Sequence, residues 1–381
     1  MNRASLCMAG GTLLVLSGAI SRETAFQAIN MDTIILLLAM MVLNAHLRLA
    51  GFFAWVAHKT VAARLPPSAL LALLMGVAGT LSALFLNDTI VLSFTPLVLE
   101  VVLVVGLPTT PFLIALAVSA NLGSVATLIG NPQNMLIGIA SGISFQDFLF
   151  RLGPVALGGL VIAWLILLLL YRRELSHYPS NPAPVRALTL NRPLLWKSLL
   201  ATLLLVGALL AGMPVSLAAL TAATLLLISR RRPADHVFQE VDWGLLVFFA
   251  ALFVVTRAVE TTGFSSRLLT IMLGEGGEGV GPTSLAVISL LLSNLLSNVP
   301  AVLLLRPLVI ELPWAETAWL TLAMATTLAG NLTLLGSVAN LIVAESARRQ
   351  GVTLGFWSYL QAGLPITLGS LLWGIYWLKP L

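Results

Sequence analysis

Across residues 68–105 the chain carries no basic side chain and only two acidic ones, Asp88 and Glu100. An apolar run of that length cannot form a surface that water will cover. A helix satisfies its backbone N–H and C=O groups within one segment, as a bilayer interior requires. Comparable apolar stretches lie near 6–20, 33–50, 112–141, 153–171, 196–212, 214–229, 243–261, 283–310, 316–346 and 362–378, with short polar loops between them. The expected fold class is therefore an all-α polytopic membrane protein. Composition agrees: 9% of residues are charged, against about a quarter in soluble domains.

The runs 68–105 and 283–310 each have a polar break near the middle, Asn87-Asp88-Thr89 in one and Ser297-Asn298-Val299-Pro300 in the other. Two short helical arms meeting at a polar tip suggest a re-entrant hairpin, because non-helical backbone at membrane depth is tolerated only where protein or a water-filled cavity surrounds it. The segments around these tips also resemble each other. "NDTIVLSFTPLVLEV" from Asn87 aligns with "NVPAVLLLRPLVIEL" from Asn298 at an offset of 211, and "ATLIGNPQNMLI" from Ala126 aligns with "LTLLGSVANLIV" from Leu332 at an offset of 206. Polar residues carry the register: Asn87 with Asn298, Glu100 with Glu311, Thr127 with Thr333, Gly130 with Gly336, Asn134 with Asn340, and upstream Asp32 with Asp242. A duplicated unit is the simplest explanation.

If both broken runs are re-entrant, Arg3, Arg48, Lys59, Arg64, Arg172, Arg173, Arg186, Arg192, Lys197, Arg230, Arg231, Arg232, Arg348 and Arg349 fall on one side. These are 14 of the 20 Lys and Arg residues. The positive-inside rule makes that side cytoplasmic. One hairpin then opens inward and the other outward, so the repeats are inverted, as in secondary transporters. The expected organisation is an N-terminal span (1–31) and a first repeat (32–173) with hairpin 66–105 and broken helix 112–141. An inter-repeat linker and two spans (174–241) follow, then a second repeat (242–381) with hairpin 283–310 and broken helix 316–346. Residues 1–20 could pass for a signal peptide, but the many spans that follow favour a retained helix. The linker Glu174–Lys197 holds four prolines, and 196–212 has no partner in the first half.

The broken helices contain "SANLGSVATLIGNPQN" (119–134) and "AGNLTLLGSVAN" (329–340). Gly123, Gly130 and Pro132 should interrupt the first; Gly330 and Gly336 should loosen the second. A broken helix frees carbonyls that can coordinate a hard cation and amide ends that can hold an anion. Asn121, Thr127, Asn131, Asn134, Asn331, Thr333, Ser337 and Asn340 would add neutral oxygens and donors. Asn87, Asp88 and Thr89 at one tip, with Ser297 and Asn298 at the other, complete the candidate ion and substrate site. Asp88 has no acidic counterpart, since Val299 stands there, and a buried carboxylate calls for a cation or a proton. A sodium ion is expected near Asn87, Asp88, Asn121, Asn298 and Asn331. The bland alternatives are ordinary inter-span loops and helix-packing contacts.

Other polar residues give weaker signals. Arg306 could draw an anion from outside or snorkel to the interface, and Arg257 and Glu260 are spaced to pair on one helical face. His46, His58, His177 and His236 suit loops or the basic face better than a proton relay, and Cys7 reads as a small apolar residue that excludes a disulfide framework. The net charge of +5 resides in loops and gives no reason to expect nucleic acid. No phosphate-binding glycine loop or HExxH pair is present, so no enzyme and no cofactor is expected. An associated ATPase subunit is possible but not indicated.

The Asn-Asp-Thr hairpin, "ANLGSVATLIGNPQN", "SNVP" and "AGNLTLLGSVANLI" resemble the ion transporter superfamily of arsenite permeases, D-type sodium/proton antiporters, citrate–metal symporters and divalent anion/sodium symporters. The similarity runs from about Asp32 to the C-terminus and is closest to the arsenite-permease-like branch of bacterial inner-membrane transporters. It implies a homodimer whose transport domains move elevator-fashion, coupled to sodium or protons. The divalent anion branch carries Ser-Asn-Thr at both tips; only the Asn is kept here, and the Asp-containing tip looks more like the arsenite and sodium/proton branches. The expected function is secondary transport of a small anion, an inorganic oxyanion or a carboxylate. The alternatives are sodium/proton antiport and, further off, a passive channel or a membrane-embedded enzyme.

Overall fold

The computed structural model describes residues 3–63, 65–176, 189–228, 234–263 and 281–379. Arg64, His177, Arg186 and Arg230–Arg232, all named above for sidedness or linker character, lie outside the described residues. Among the described residues every regular element is helical. The helices are α1 (Arg3–Leu16), α2 (Arg22–Ala28), α3 (Met31–Leu49), α4 (Phe52–Val61), α5 (Pro67–Leu84), α6 (Asn87–Val105), α7 (Thr109–Ser124), α8 (Pro132–Ser141) and α9 (Phe145–Leu170). After a short 3-10 turn, Glu174–Ser176, come α10 (Arg192–Leu210), α11 (Val215–Leu227), α12 (Ala234–Phe238) and α13 (Trp243–Thr261). The chain ends with α14 (Pro282–Leu296), α15 (Asn298–Glu311), α16 (Ala315–Ala329), α17 (Val338–Arg349) and α18 (Phe356–Trp377).

Six of these, α3, α5, α6, α9, α10 and α13, are long and apolar enough to cross a membrane. Helices α9 and α10 leave large apolar side chains exposed, Phe150, Leu157, Leu169, Trp196 and Leu203 among them, as a lipid-facing surface does. By contrast α7 is buried at every position from Pro111 to Ser124, and α16 at every position from Ala318 to Ala329. A helix buried all round belongs to the centre of the molecule. The α5–α6 hairpin packs on α7, and the α14–α15 hairpin packs on α16 in the same way. Around this pair, α9 lies along α18, α1 along α13, and α3 against α10 and α11.

Three expectations are revised. The arms of the first hairpin are not short: α5 has 18 residues and α6 has 19, roughly 27 and 28 Å at 1.5 Å per residue. Helix α1 has 14 residues, fewer than the ~20 a crossing needs. Short α2 and α4 were not read as elements at all. The third concerns Gly123. It does not break its helix; it sits in the last turn of α7, where a Cβ would stand 2.0 Å from the Gly79 carbonyl oxygen of α5. Gly123, Gly130, Gly330 and Gly336 all lack positive φ, so their requirement is space rather than backbone freedom. Gly123→Ala should lower the unfolding midpoint of the detergent-solubilised protein through overpacking, a cost of about 1–3 kcal/mol. Gly76→Ala, on the same α5 but with nothing within 4 Å of its added methyl, should leave the midpoint unchanged.

Candidate functional site

Each buried helix stops at a polar loop before its continuation begins. In the first half α7 ends at Ser124 and α8 starts at Pro132; in the second α16 ends at Ala329 and α17 starts at Val338. The restart is capped in both: Asn131 Oδ1 accepts the Asn134 N–H at 2.9 Å, and Ser337 Oγ accepts the Ala339 N–H at 3.2 Å. Both loops are laced by an asparagine amide. Asn134 Nδ2 donates to the carbonyls of Ser124 and Thr127 at 2.9 and 3.0 Å. Asn340 Nδ2 donates to those of Gly330 and Thr333 at 2.7 and 3.0 Å. All three residues of the second set are those of the first displaced by 206. The hairpins are tied to the loops in parallel fashion: the Thr127 hydroxyl donates to the Ala83 carbonyl, and the Thr333 hydroxyl to Asn294 Oδ1 at 3.4 Å.

The two halves are joined by exchanged contacts. Asn121, in α7, donates through Nδ2 to Asn331 Oδ1 at 2.9 Å and to Asn340 Oδ1 at 3.1 Å, and its Oδ1 accepts from the Ser337 hydroxyl at 3.0 Å. Thr327, in α16, accepts from Asn131 Nδ2 and Gln133 Nε2, each at 3.2 Å, and donates to Asn134 Oδ1 at 3.4 Å. Thr327 is Asn121 displaced by 206, so each half sends one side chain into the other half's loop. The offset of 206 that aligns the two halves thus also relates these contacts.

The hairpin tips reach the same place. The Asn87 N–H donates to the Gly130 carbonyl at 3.1 Å and its Nδ2 to Asn121 Oδ1 at 3.2 Å, while its own Oδ1 accepts the Asp88 N–H at 3.0 Å. At the other tip Asn298 Oδ1 accepts from the Ser293 hydroxyl at 2.6 Å. Ser297 links α14 to α15 with φ 86° and ψ 158°, a region nearly reserved for glycine whose occupation costs on the order of 1–3 kcal/mol. Strain of that kind concentrates at functional sites.

A cavity of about 60 Å³ lies between the tips, lined by Asn87, Asp88, Pro132, Ser297, Asn298, Gly336 and Ser337, with Phe248 and Phe249 of α13 closing it. Of the residues expected at the site, these seven face the cavity. Asn121, Asn131, Asn134, Asn331 and Asn340 are buried behind them, and Thr127, Gly130 and Thr333 shape the loops. Thr89 faces instead a second cavity of about 170 Å³, which shares Asp88, Pro132 and Val338 with the first and runs toward the Arg48–Glu240 ion pair. Of the five residues expected around sodium, Asn87, Asn121 and Asn331 are bonded to one another in series. Asp88 and Asn298 border the open space.

Several residues of the site were missed by reading the sequence, Arg3, Asn44, Gln133 and Thr327 among them. Arg3, assigned above to the cytoplasmic loops, begins α1 and lines both cavities, with its guanidinium carbon 5.5 Å from the Phe248 ring centre. Asn44 of α3 lines the larger cavity, is 3% exposed, and has neither amide atom hydrogen-bonded among the described residues. Nothing in an apolar helix marks such an asparagine in advance. Thr327 was legible in principle, from the 206 offset. A buried, unpaired polar group costs about 1–3 kcal/mol. Asn44→Leu should therefore leave the melting temperature in detergent unchanged or raised while lowering solute flux in proteoliposomes several-fold.

The remaining candidates lie elsewhere. Arg257 and Glu260 pair at 3.0 Å, and with Arg306 and Asp32 they line a cavity of about 900 Å³ near the N-terminal end of α3. His46 is buried, its Nδ1 bonded to the Val42 carbonyl at 2.8 Å.

Paired hairpins, two interrupted buried helices, six helices apolar enough to cross a membrane and a polar cavity at the hairpin tips describe a polytopic membrane protein, and the proteins it resembles are transporters. The chain belongs to the CitMHS citrate transporter family, whose pattern matches residues 1–329. It is 35% identical to the silicon efflux transporter LSI3 of Oryza sativa subsp. japonica, over 97% of this chain and 90% of that protein. It is 31% identical to a 46 kDa membrane protein of Mycobacterium leprae, over 100% of this chain and 94% of that one. A transporter of Dictyostelium discoideum named arsB is 26% identical over 98% of this chain and 87% of its own length. Its fold is similar to that of the YdaH transporter of Alcanivorax borkumensis, described as having an unusual topology, with a TM-score of 0.64 and 18% identity over 96% of this chain and 87% of the other.

Proposed function

We propose that the chain is a secondary active transporter of a small oxygen-rich anion, coupled to sodium or protons through Asp88. The observation that carries this reading is the cavity between the tips. It is lined by amide, hydroxyl and backbone groups of both repeats and by a carboxylate, Asp88, that has no hydrogen-bond or salt-bridge partner among the described residues. In about 60 Å³, at roughly 10–15 Å³ per water-sized occupant, there is room for a handful of heavy atoms. A compact oxyanion or hydroxylated oxyacid suits the tip cavity, and the name of the rice relative, a silicon efflux transporter, points the same way. A carboxylate as large as citrate would extend into the neighbouring cavity of about 170 Å³.

In this reading the two hairpins are re-entrant and oppositely oriented. Their tips stand beside the interruptions of the buried helices, which would place all four breaks at one depth. A homodimer in the bacterial inner membrane, with the hairpins and broken helices moving elevator-fashion, completes the proposal. The unpaired Asp88 also favours a second reading, sodium/proton antiport, in which the carboxylate exchanges the two cations.

Flux in proteoliposomes separates the two. Accumulation of silicic acid, arsenite, phosphate or citrate driven by an imposed sodium or pH gradient supports the carrier. Sodium-driven proton movement that needs none of these solutes supports the antiporter. Solute flux indifferent to both gradients would sink both readings.

A further inference from the structure

Among the described residues, Arg3 and Asp88 are the only charged ones lining the cavity between the hairpin tips. They stand on different elements, α1 and α6, and form no salt bridge with each other. Arg3 is exposed, and its guanidinium carbon lies over the Phe248 ring, 5.5 Å from the ring centre. In the adjoining cavity Arg48 pairs with Glu240, while Asp242, whose Oδ1 caps α13 by accepting the Leu245 N–H at 2.9 Å, adds a second carboxylate whose charge acts on Asp88. A guanidinium and a carboxylate, neither in a salt bridge among the described residues, thus border one small space and attract each other across it.

From this arrangement we infer that Arg3 is the anion-recognition residue of the transport site and the link between solute and coupling cation. The inference rests on the carrier reading above and adds the group that selects negative charge. A guanidinium offers several planar donors to an oxyanion and keeps its charge at any physiological pH. A cation on Asp88 removes the negative charge that would repel an anion from the same cavity. Each occupant therefore raises the affinity of the other, and the linkage is reciprocal. Stacking on Phe248 holds the guanidinium by a cation–π contact, so the charge is positioned without a carboxylate partner.

The test uses the purified full chain with silicic acid, phosphate and citrate as probes, each in sodium and in choline at matched ionic strength, at pH 7. Silicic acid is uncharged at that pH, whereas phosphate and citrate are anions. The wild type is expected to gain thermal stability from phosphate or citrate, and more in sodium than in choline. Arg3→Gln is expected to lose the anion-dependent gain by about tenfold in apparent affinity and to lose its sodium dependence, with Arg3→Lys recovering part of both. The melting temperature without probe reports whether Arg3→Gln folds; if it does not, the Arg3→Lys titration decides, since lysine keeps the charge but not the bidentate geometry. Unchanged anion affinity and sodium dependence in whichever variant decides would overturn the role of Arg3 and leave the carrier reading standing. Stabilisation of the wild type by silicic acid alone would also overturn it, because a neutral solute has no use for the guanidinium. No stabilisation of the wild type by any probe would overturn the carrier reading itself, and this inference with it.

Discussion

Asp88→Asn should abolish cation-driven solute transport while leaving the fold intact. The amide is close to the carboxylate in shape, and among the described residues the carboxylate has no hydrogen bond or salt bridge to lose. The local bond that fixes the tip, from the Asp88 N–H to Asn87 Oδ1 at 3.0 Å, is a backbone donation and survives. What disappears is the one negative charge among the described residues that line the tip cavity, and with it the group that can exchange a proton or hold a cation. The gradient-driven rate is expected to fall by about 100-fold or more, equivalent to ~2.7 kcal/mol of barrier. The check is proteoliposome flux under imposed sodium and pH gradients, with the melting temperature alongside. A variant that melts as the wild type does and still couples to either gradient would remove Asp88 from the cation pathway.

Asn121→Leu should be the most damaging single change to the network. Asn121 holds four side chains: Asn87 of its own half, and Asn331, Ser337 and Asn340 of the other. Leucine is bulkier than asparagine and offers neither donor nor acceptor, so overpacking adds to the lost bonds. Each buried group left unsatisfied costs about 1–3 kcal/mol, so a loss on the order of 4 kcal/mol or more is expected if two or more of them find no substitute. Thermal unfolding should move down by many degrees, and solute flux should vanish with it. Asn121→Thr copies the residue that stands at the equivalent place in the second half and should restore part of both. If Asn121→Leu melted and transported as the wild type does, the exchange of contacts between repeats would be incidental to stability and to transport.

Helix existence, the interruption of two helices near Asn131 and Ser337, and the pairing of Asn87 with Asn298 could all be read from the chain. Each depends on a local signal: an apolar run, or a capping side chain two or three residues before the N–H it accepts. The repeat register was legible because asparagines and glycines, rather than interchangeable leucines, hold it. The same register would have identified Thr327 through Asn121, although a threonine in a buried helix does not announce itself.

Other features had no such signal. Arg3 looked like one more loop charge because positive residues near an apolar run are read by their count, and only the packing of α1 along α13 places it at the cavity. Gly123 looked like a helix breaker because glycine is a poor helix former. The close approach of α5 converts it into a packing residue inside the helix. Asn44 sits in an apolar helix where its face cannot be inferred from the neighbours.

By itself, then, the sequence determined that the chain is a helical membrane protein and where its helices yield to polar loops. These properties follow from burial and capping over one or two turns. Tertiary structure alone decided which polar groups meet. Asn121 and Asn340 are separated by 219 residues, and no rule of spacing reaches that far. Their bond exists because two buried helices must satisfy amides that cannot reach water, and the nearest available partners belong to the opposite repeat.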